Sequence, residues 1–178
     1  AFRLHGGSAE RGARLRLYGV LDAEPAGAFA RIRLSAPLVL DVGDRFVLRE
    51  AGRRQTVAGG VVLDVDPPPR PGRTPEERLR PRETATRSEL AELLVRERGA
   101  VRAVDVVRST GRAPGATGDV VRCGTWWVAV RLLDAVGDRV GADLERHHAE
   151  HPRAPGREMS EVRRTAIEAA AGAGGQKD

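Results

Sequence analysis

A run of prolines near the middle of the chain constrains the fold more than any other feature of the sequence. Residues 67–75 read Pro-Pro-Pro-Arg-Pro-Gly-Arg-Thr-Pro, and five of these nine residues are proline. Proline lacks the amide N–H and clashes with the preceding helical turn, so this stretch cannot enter a helix interior or a central strand. It predicts a stiff, extended spacer over residues 67–82. The chain therefore divides into two parts that fold separately.

The part before the spacer, residues 1–66, has the period-two pattern of β-strands. An apolar residue at every second position indicates a strand with one buried and one hydrated face. Turn sequences that contain glycine or proline separate the runs. Five or six short strands in this length predict a small closed antiparallel β-barrel, which leaves no open edge. The alternating pairs are Leu15 and Leu17, Ile32 and Leu34, Leu38 and Leu40, and Phe46 and Leu48.

After the spacer the apolar residues recur at the spacing of helices. The pattern predicts a helix that stops at Gly99, a short helix over 101–108, a small hairpin over 119–128 and a long helix over 130–148. Helix, helix, hairpin and helix is the order of a winged-helix domain, here residues 83–151. Residues 152–178 are predicted to begin a second such unit, with a helix from Glu158 and a disordered tail from Gly172. The fold class is therefore mixed, with a small antiparallel β-barrel followed by an α+β winged-helix domain.

The basic residues are almost all arginine, and the only lysine of the chain is Lys177. A P-loop needs a lysine followed by serine or threonine, because the ammonium group binds the β- and γ-phosphates. Asp178 follows Lys177, so the 178 residues contain no P-loop nucleotide site. The net charge of +5 is concentrated in residues 1–87, whereas residues 88–178 carry 14 basic and 14 acidic residues.

Other chemistry-bearing patterns are few. A single cysteine, Cys123, excludes an internal disulfide and a multi-cysteine metal site. No apolar run approaches the ~18 residues of a membrane helix, so no membrane partner is expected. The segment His147-His148-Ala149-Glu150-His151 matches a zinc-peptidase pattern in form. Because Pro152 ends the helix at once, a polar helix end is the favoured interpretation, and we expect no metal site.

Two groups of residues could bind nucleic acid. Arginines alternate with the apolar residues of two predicted strands, and they either contact phosphates or form the hydrated face of the barrel. The run 56–60 places glycines inside a strand, which marks a β-bulge or the close approach of another backbone. Arginines precede this run, and free backbone N–H groups beside positive charge can bind a phosphodiester. The alternating arginines are Arg14, Arg16, Arg31 and Arg33.

The segment 45–62 resembles the last hairpin of the β-barrel third domain of elongation factor Tu and its relatives. It reads R-F-V-L-R-E-A-G-R-R-Q-T-V-A-G-G-V-V, where that family shows R-F-x-I/L-R-E-G-G-R-T-V-G-A-G-V-V. The turn is slightly longer, and Ala58 stands where the family usually has glycine. Within that superfamily, G-D-R-F-V-L-R at 43–49 and V-L-D at 62–64 are most similar to the selenocysteine-specific elongation factor (SelB-type).

A second segment far along the chain supports the same resemblance. Residues 148–156 read H-A-E-H-P-R-A-P-G, which is similar to the H-x-x-x-P-x-x-P-G segment that joins the first two winged-helix domains of that factor. The two matches lie in the expected order on either side of the spacer. Together they liken residues 1–66 to its β-barrel and residues 83–151 to its first winged helix.

The resemblance implies a role in selenocysteine incorporation. The barrel would contact the T-stem side of selenocysteinyl-tRNA, and the winged helix would act as a spacer. The ribosome and the selenocysteine-insertion hairpin of the messenger RNA would be further partners, the hairpin through domains outside this chain. The location would be the cytoplasm. By resemblance the candidate RNA-binding residues are Arg49, Arg53, Arg54, Thr56, Gly59 and Gly60.

The family's GTPase domain has no counterpart here, because the chain holds neither a P-loop nor an Asn-Lys-x-Asp guanine motif. GTP and Mg²⁺ would belong to that domain, so we expect a non-enzymatic fragment with no catalytic residue and no cofactor, preceded by a missing N-terminal part. Two other functions remain open. One is a winged-helix DNA-binding regulator with the barrel as an accessory domain, and the other is a zinc hydrolase that uses His147 and His151.

Overall fold

Residues 2–18, 27–52, 55–68, 75–115 and 118–174 are described by a computed structural model. The chain divides into two units, residues 1–86 and residues 87–178. None of the helices in the described ranges is long and apolar enough to cross a membrane.

The first unit is built on a five-stranded antiparallel sheet that is curled into a half-barrel. The strand order is β3-β2-β1-β4-β5, so β3 and β5 form the two edges. Short turns join β1 to β2 and β4 to β5, which suits the antiparallel pairing of neighbours in sequence. The strands are β1 (Phe2–Gly6), β2 (Ala9–Tyr18), β3 (Phe29–Leu34), β4 (Arg45–Glu50) and β5 (Thr56–Val61).

The inner face of this sheet holds the core of the first unit. Leu4, Ala13 and Leu48 are buried there, and partly buried apolar side chains pack around them. Two of these, Leu38 and Leu40, come from the segment between β3 and β4, which runs beside the sheet without pairing to it. The prediction of a strand over Leu38 and Leu40 is therefore wrong. The alternation of buried and exposed side chains is nevertheless present, because Val39 between the two leucines is 96% exposed.

The mixed fold class is confirmed, but the barrel is not the closed one expected. The described strands form one open sheet in which each edge strand has a single strand partner. The hairpin that carries the resemblance is present, since β4 and β5 pair from Arg45 opposite Val61 to Arg49 opposite Thr56. The Leu38 run was predicted as one of the five or six strands, and it instead covers the inner face near Gly6.

The expected extended spacer differs from the structure in its second half. Residues 75–79 form the short helix α1 (Pro75–Leu79), and a 3₁₀ turn continues from Arg80 to Glu83. Proline at the first position of a helix costs no hydrogen bond, which lets Pro75 begin this helix. Leu79 is buried, and Arg78 donates to the Asp64 carboxylate at 2.8 Å. Residues 69–74 lie outside the described residues.

The second unit combines helices with a three-stranded antiparallel sheet of order β6-β8-β7. The predicted helix, helix, hairpin and helix all occur, and the added strand β6 pairs with β8. Its core packs α2 and α3 against this sheet through Val95, Val101, Val106 and Val120, with Trp127 alongside. The elements are α2 (Arg87–Arg98), β6 (Ala100–Arg102), α3 (Ala103–Thr110), β7 (Val120–Cys123), β8 (Trp126–Ala129), α4 (Val130–Glu150) and α5 (Met159–Gly174).

Helices α4 and α5 pack as a pair joined by the turn that contains Pro152 and Pro155. Asp143 of α4 forms an ion pair with Arg157 in the segment before α5, and the Thr165 hydroxyl of α5 donates to the same carboxylate at 3.1 Å. Helix α5 continues to Gly174. The prediction that the chain is disordered from Gly172 is therefore wrong for residues 172–174. Residues 175–178 lie outside the described residues.

The Asp143 carboxylate should make the helix pair sensitive to acid. The hydrogen bond from Arg157, with that from Thr165 and the charge of Arg146, holds the pKa of Asp143 below its usual 3.8. A lowered pKa stabilises the fold at pH values above 3.8, and this contribution is lost as the pH falls through the folded pKa. We expect helical circular dichroism to fall earlier on acid titration in Asp143→Ala than in wild type. Equal acid transitions in the two proteins would contradict this role.

Candidate nucleic-acid interface

The outer face of the first sheet is a surface of arginines. Directly opposed residues of antiparallel strands share a face. The strand register therefore shows which side chains lie on the face opposite to Leu4 and Leu48. Among the described strand residues this face carries seven arginines and one acid, Glu10. We call it the arginine face; its arginines are Arg3, Arg14, Arg16, Arg31, Arg33, Arg45 and Arg49.

Six of the seven arginines of this face lie opposite another arginine, and Arg45 lies opposite Val61. Arg14 pairs with Arg33, and Arg16 pairs with Arg31. A third pair, on the adjacent strands β1 and β4, joins Arg3 to Arg49. Like charges directly opposite each other destabilise a sheet. Three such pairs on one face are therefore a local cost that a bound polyanion would remove.

Some of these arginines are engaged by other groups of the first unit. Arg3 forms a 2.7 Å ion pair with Glu10. Arg31 donates to the Pro68 carbonyl at 2.7 Å. The other five, Arg14, Arg16, Arg33, Arg45 and Arg49, form no ion pair with the described residues and are exposed. Arg16 lies over the Tyr18 ring and Arg45 is opposite Val61, whereas Arg14, Arg33 and Arg49 each lie opposite another arginine, so we choose these three to test contact with phosphate.

The hairpin residues singled out from the sequence fall on two different faces. Arg49 lies opposite Thr56, and Gly59 lies opposite Val47, all on the arginine face. All four residues are exposed. The alternating arginines and part of the glycine-rich run therefore form one continuous surface, which strand periodicity alone did not show. Arg53 and Arg54 lie outside the described residues.

Gly60 has a structural reason to be glycine. It lies on the inner face opposite Phe46, and a Cβ atom built there would be 2.6 Å from Phe46 Cζ. The glycine run suggested a β-bulge, and the strand register does shift between Leu48 and Arg49, next to that run. At Gly59 the nearest atom to such a Cβ is the Phe46 carbonyl oxygen at 3.6 Å. Only Gly59 therefore remains free for the close approach of a ligand.

The two tryptophans of the second unit point to opposite sides of the small sheet. Trp127 packs against the core, and Trp126 is 42% exposed. Arg102 lies next to Trp126, with its guanidinium carbon 5.5 Å from the ring centroid. Arg122, which is opposite Trp127 in the strand register, lines the same groove as Trp126. Adjacent residues of a strand point to opposite faces, but the sequence did not connect Trp126 with Arg102, since residues 101–108 were predicted to form a helix.

The histidines near the end of α4 contact each other and the following turn. The rings of His147 and His151 are 5.0 Å apart, and His147 Nε2 is 3.3 Å from the Gly156 carbonyl oxygen. No group of three or more histidine, cysteine or acidic residues that could hold a metal ion occurs in the part of the chain that the structure describes. The zinc-hydrolase alternative therefore finds no support in the geometry of these histidines.

Comparison with known proteins gives one family match to the first unit and one structural match to most of the chain. Residues 1–69 match the family model described as "Selenocysteine-specific elongation factor, beta-barrel domain". A solved structure, that of the bacterial selenocysteine-specific elongation factor EF-Sec, matches with a TM-score of 0.57 at 16% sequence identity. The match covers 96% of this chain and 29% of the matched chain. No curated protein matches the sequence.

Proposed function

We propose that the first unit, whose residues 1–69 match the family model of the β-barrel domain of selenocysteine-specific elongation factors, binds selenocysteinyl-tRNA. Its partner would be the T-stem side of the tRNA, whose A-form backbone offers phosphates in two ridges. Such contacts position an RNA without reading its sequence. The chain spans 29% of the length of the factor it matches in structure, so the role proposed is one part of a larger task.

The single observation that carries this proposal is the composition of the arginine face. Among the described strand residues this face carries seven arginines and one acid. One of these arginines, Arg49, lies beside the exposed hairpin residues Thr56 and Gly59 on the same face. A sheet gains nothing from arginine opposite arginine unless the face meets negative charge. A polyanionic helix supplies that charge and releases its condensed counterions when bound. Gly60 is not among the residues proposed to contact the tRNA, because it packs on Phe46.

The second unit is proposed to act mainly as a spacer toward the messenger RNA hairpin. Residues 88–178 carry 14 basic and 14 acidic residues, and a groove-reading domain usually has a basic excess. In this proposal GTP and Mg²⁺ are bound by a GTPase domain that this chain does not contain, and the chain has no catalytic role. The ribosome is the further partner, and the cytoplasm is the place of action.

Titration of the purified chain with selenocysteinyl-tRNA at several salt concentrations tests the proposal. We expect the logarithm of the association constant to fall linearly with the logarithm of the salt concentration. The magnitude of the slope should be roughly 3 to 6, because each phosphate contact contributes about 0.9. A DNA duplex of equal length is the control, because a DNA-binding regulator would prefer it. Absence of a salt slope, or tighter binding to the DNA duplex, would contradict the proposed tRNA role.

A further inference from the structure

The small sheet of the second unit brings one tryptophan and two arginines to the surface, Trp126 and Arg122 from the β7–β8 hairpin and Arg102 from β6. Trp126 lies directly opposite Arg102 on β6 and opposite Cys123 on β7. The Arg102 guanidinium lies near the ring, and Trp126 still exposes 42% of its surface. Burying a tryptophan is worth more than burying almost any other side chain, so an exposed tryptophan beside cations marks a candidate contact surface.

These side chains line a shallow, open groove between the start of α3 and the hairpin turn. Two hydrogen bonds fix its shape. The Ala103 amide donates to the Thr125 carbonyl oxygen at 2.9 Å, and Arg122 Nε donates to the Gly124 carbonyl oxygen at 3.1 Å. A preformed groove loses little conformational freedom when a ligand binds. We call it the tryptophan groove; it is lined by Arg102, Ala103, Val104, Arg122, Thr125 and Trp126.

We propose that the tryptophan groove binds single-stranded nucleic acid, with a base stacked on Trp126 and the adjoining phosphates held by Arg102 and Arg122. The groove is too open to enclose a small metabolite on several sides, as metabolite sites do. A flat base needs only one aromatic surface, and every base offers a π-face. The flanking positive charge complements phosphate on either side of the stacked base.

The charge around the groove agrees with an anionic ligand. The second unit is neutral overall in sequence, so two arginines beside one exposed aromatic ring are a local excess. The nearest acid in the first turn of α3, Asp105, forms an ion pair with Arg108 at 3.4 Å. Its charge is thereby partly compensated. The groove lies in the second unit and uses none of the arginine-face residues, so it stands independently of the tRNA role proposed above.

Fluorescence anisotropy with labelled oligouridine of about twelve nucleotides tests this site. The full chain would carry Arg14→Glu, Arg33→Glu and Arg49→Glu, so that the arginine face contributes little to binding. In this background Trp126→Ala should weaken binding about tenfold, and Trp126→Phe should keep it within about threefold, because phenylalanine still stacks. Leu133→Ala is the matched control, since Leu133 is also 42% exposed and lies outside the groove.

The arginines and the strandedness are tested in the same assay. Arg102→Ala with Arg122→Ala should lower the salt slope by about 1.4, which is two contacts of 0.7 each. Arg163→Ala with Arg164→Ala, two exposed arginines of α5, should leave it unchanged. Oligothymidine should bind nearly as well as oligouridine if stacking dominates, whereas weaker oligothymidine binding would assign the site to RNA through the 2′-hydroxyl.

Three results would overturn the proposal: no binding of either oligonucleotide, equal affinity of Trp126→Ala and wild type, or a duplex bound as tightly as the single strand. A fold defect in Trp126→Ala is checked by its thermal unfolding. If that variant is unstable, Trp127→Phe leaves Trp126 as the sole tryptophan, and oligouridine should quench its fluorescence. Unchanged fluorescence at saturating oligonucleotide would then contradict stacking of a base on Trp126. It would not bear on tRNA binding by the arginine face, which is tested by its own titration.

Discussion

Replacing Arg14, Arg33 and Arg49 together by glutamate should lower the affinity of the chain for selenocysteinyl-tRNA about a hundredfold or more at moderate salt. Each of these side chains is exposed, lies on the arginine face and forms no ion pair with the described residues. Loss of three phosphate contacts lowers the salt slope by about 2.7, which amounts to roughly this loss of affinity near 0.1 M salt. Filter binding or anisotropy over a range of salt concentrations measures both quantities.

The matched control for this triple variant is Arg139→Glu with Arg153→Glu and Arg163→Glu. These three arginines are exposed in the second unit, and their replacement changes the net charge by the same amount. We expect the control to reduce tRNA affinity by less than about fivefold, through long-range repulsion alone. Equal losses in the two triple variants would show that total charge, and not the arginine face, governs binding.

Gly60→Ala should destabilise the first unit by about 1–3 kcal/mol, because a methyl group at this position meets the Phe46 ring. The built Cβ lies 2.6 Å from Cζ and 3.0 Å from Cε1 of that ring. Phe46 packs in the core cluster around Leu48, so the ring cannot move without disturbing its neighbours. Thermal or denaturant unfolding followed by circular dichroism measures the change.

Gly59→Ala is the control for this substitution, since its Cβ would have ordinary contact distance to the nearest atom. Alanine reduces the freedom of the unfolded chain, so the free energy of unfolding should change by less than about 0.5 kcal/mol. Phe46→Leu combined with Gly60→Ala should recover part of the loss, because leucine lacks the clashing ring atoms. Equal destabilisation by the two alanine variants would contradict the assignment of Gly60 to core packing and of Gly59 to the surface.

Strand and helix positions followed from the sequence wherever the period was strong. The pairs Leu15 with Leu17 and Ile32 with Leu34 predicted β2 and β3, and the helical spacing of apolar residues before Gly99 predicted α2. The Leu38 and Leu40 pair fitted the same rule and yet forms no strand. Alternation reports which side chains are buried. It does not report whether the backbone beside them finds a pairing partner, which is a contact between distant segments.

The candidate site was predictable in its residue types and not in its arrangement. Composition and the resemblance singled out Arg49, Thr56 and Gly59, and the structure places all three on the arginine face. The same reasoning included Gly60, whose partner Phe46 is fourteen positions away and is found only by the register. Arg102 was likewise missed as a neighbour of Trp126, because the two residues meet through pairing of β6 with β8.

The amino-acid sequence by itself determined the two-part organisation, the kind of element in most segments and the lack of a P-loop. These properties depend on neighbours within a few positions, where backbone sterics and burial periodicity act directly. Only the tertiary structure decided that the described strands of the first sheet form an open sheet, that arginine faces arginine in three cross-strand residue pairs, and that Trp126 shares a groove with two arginines. Each of these depends on the register between strands, and register is fixed by packing among residues far apart in the chain.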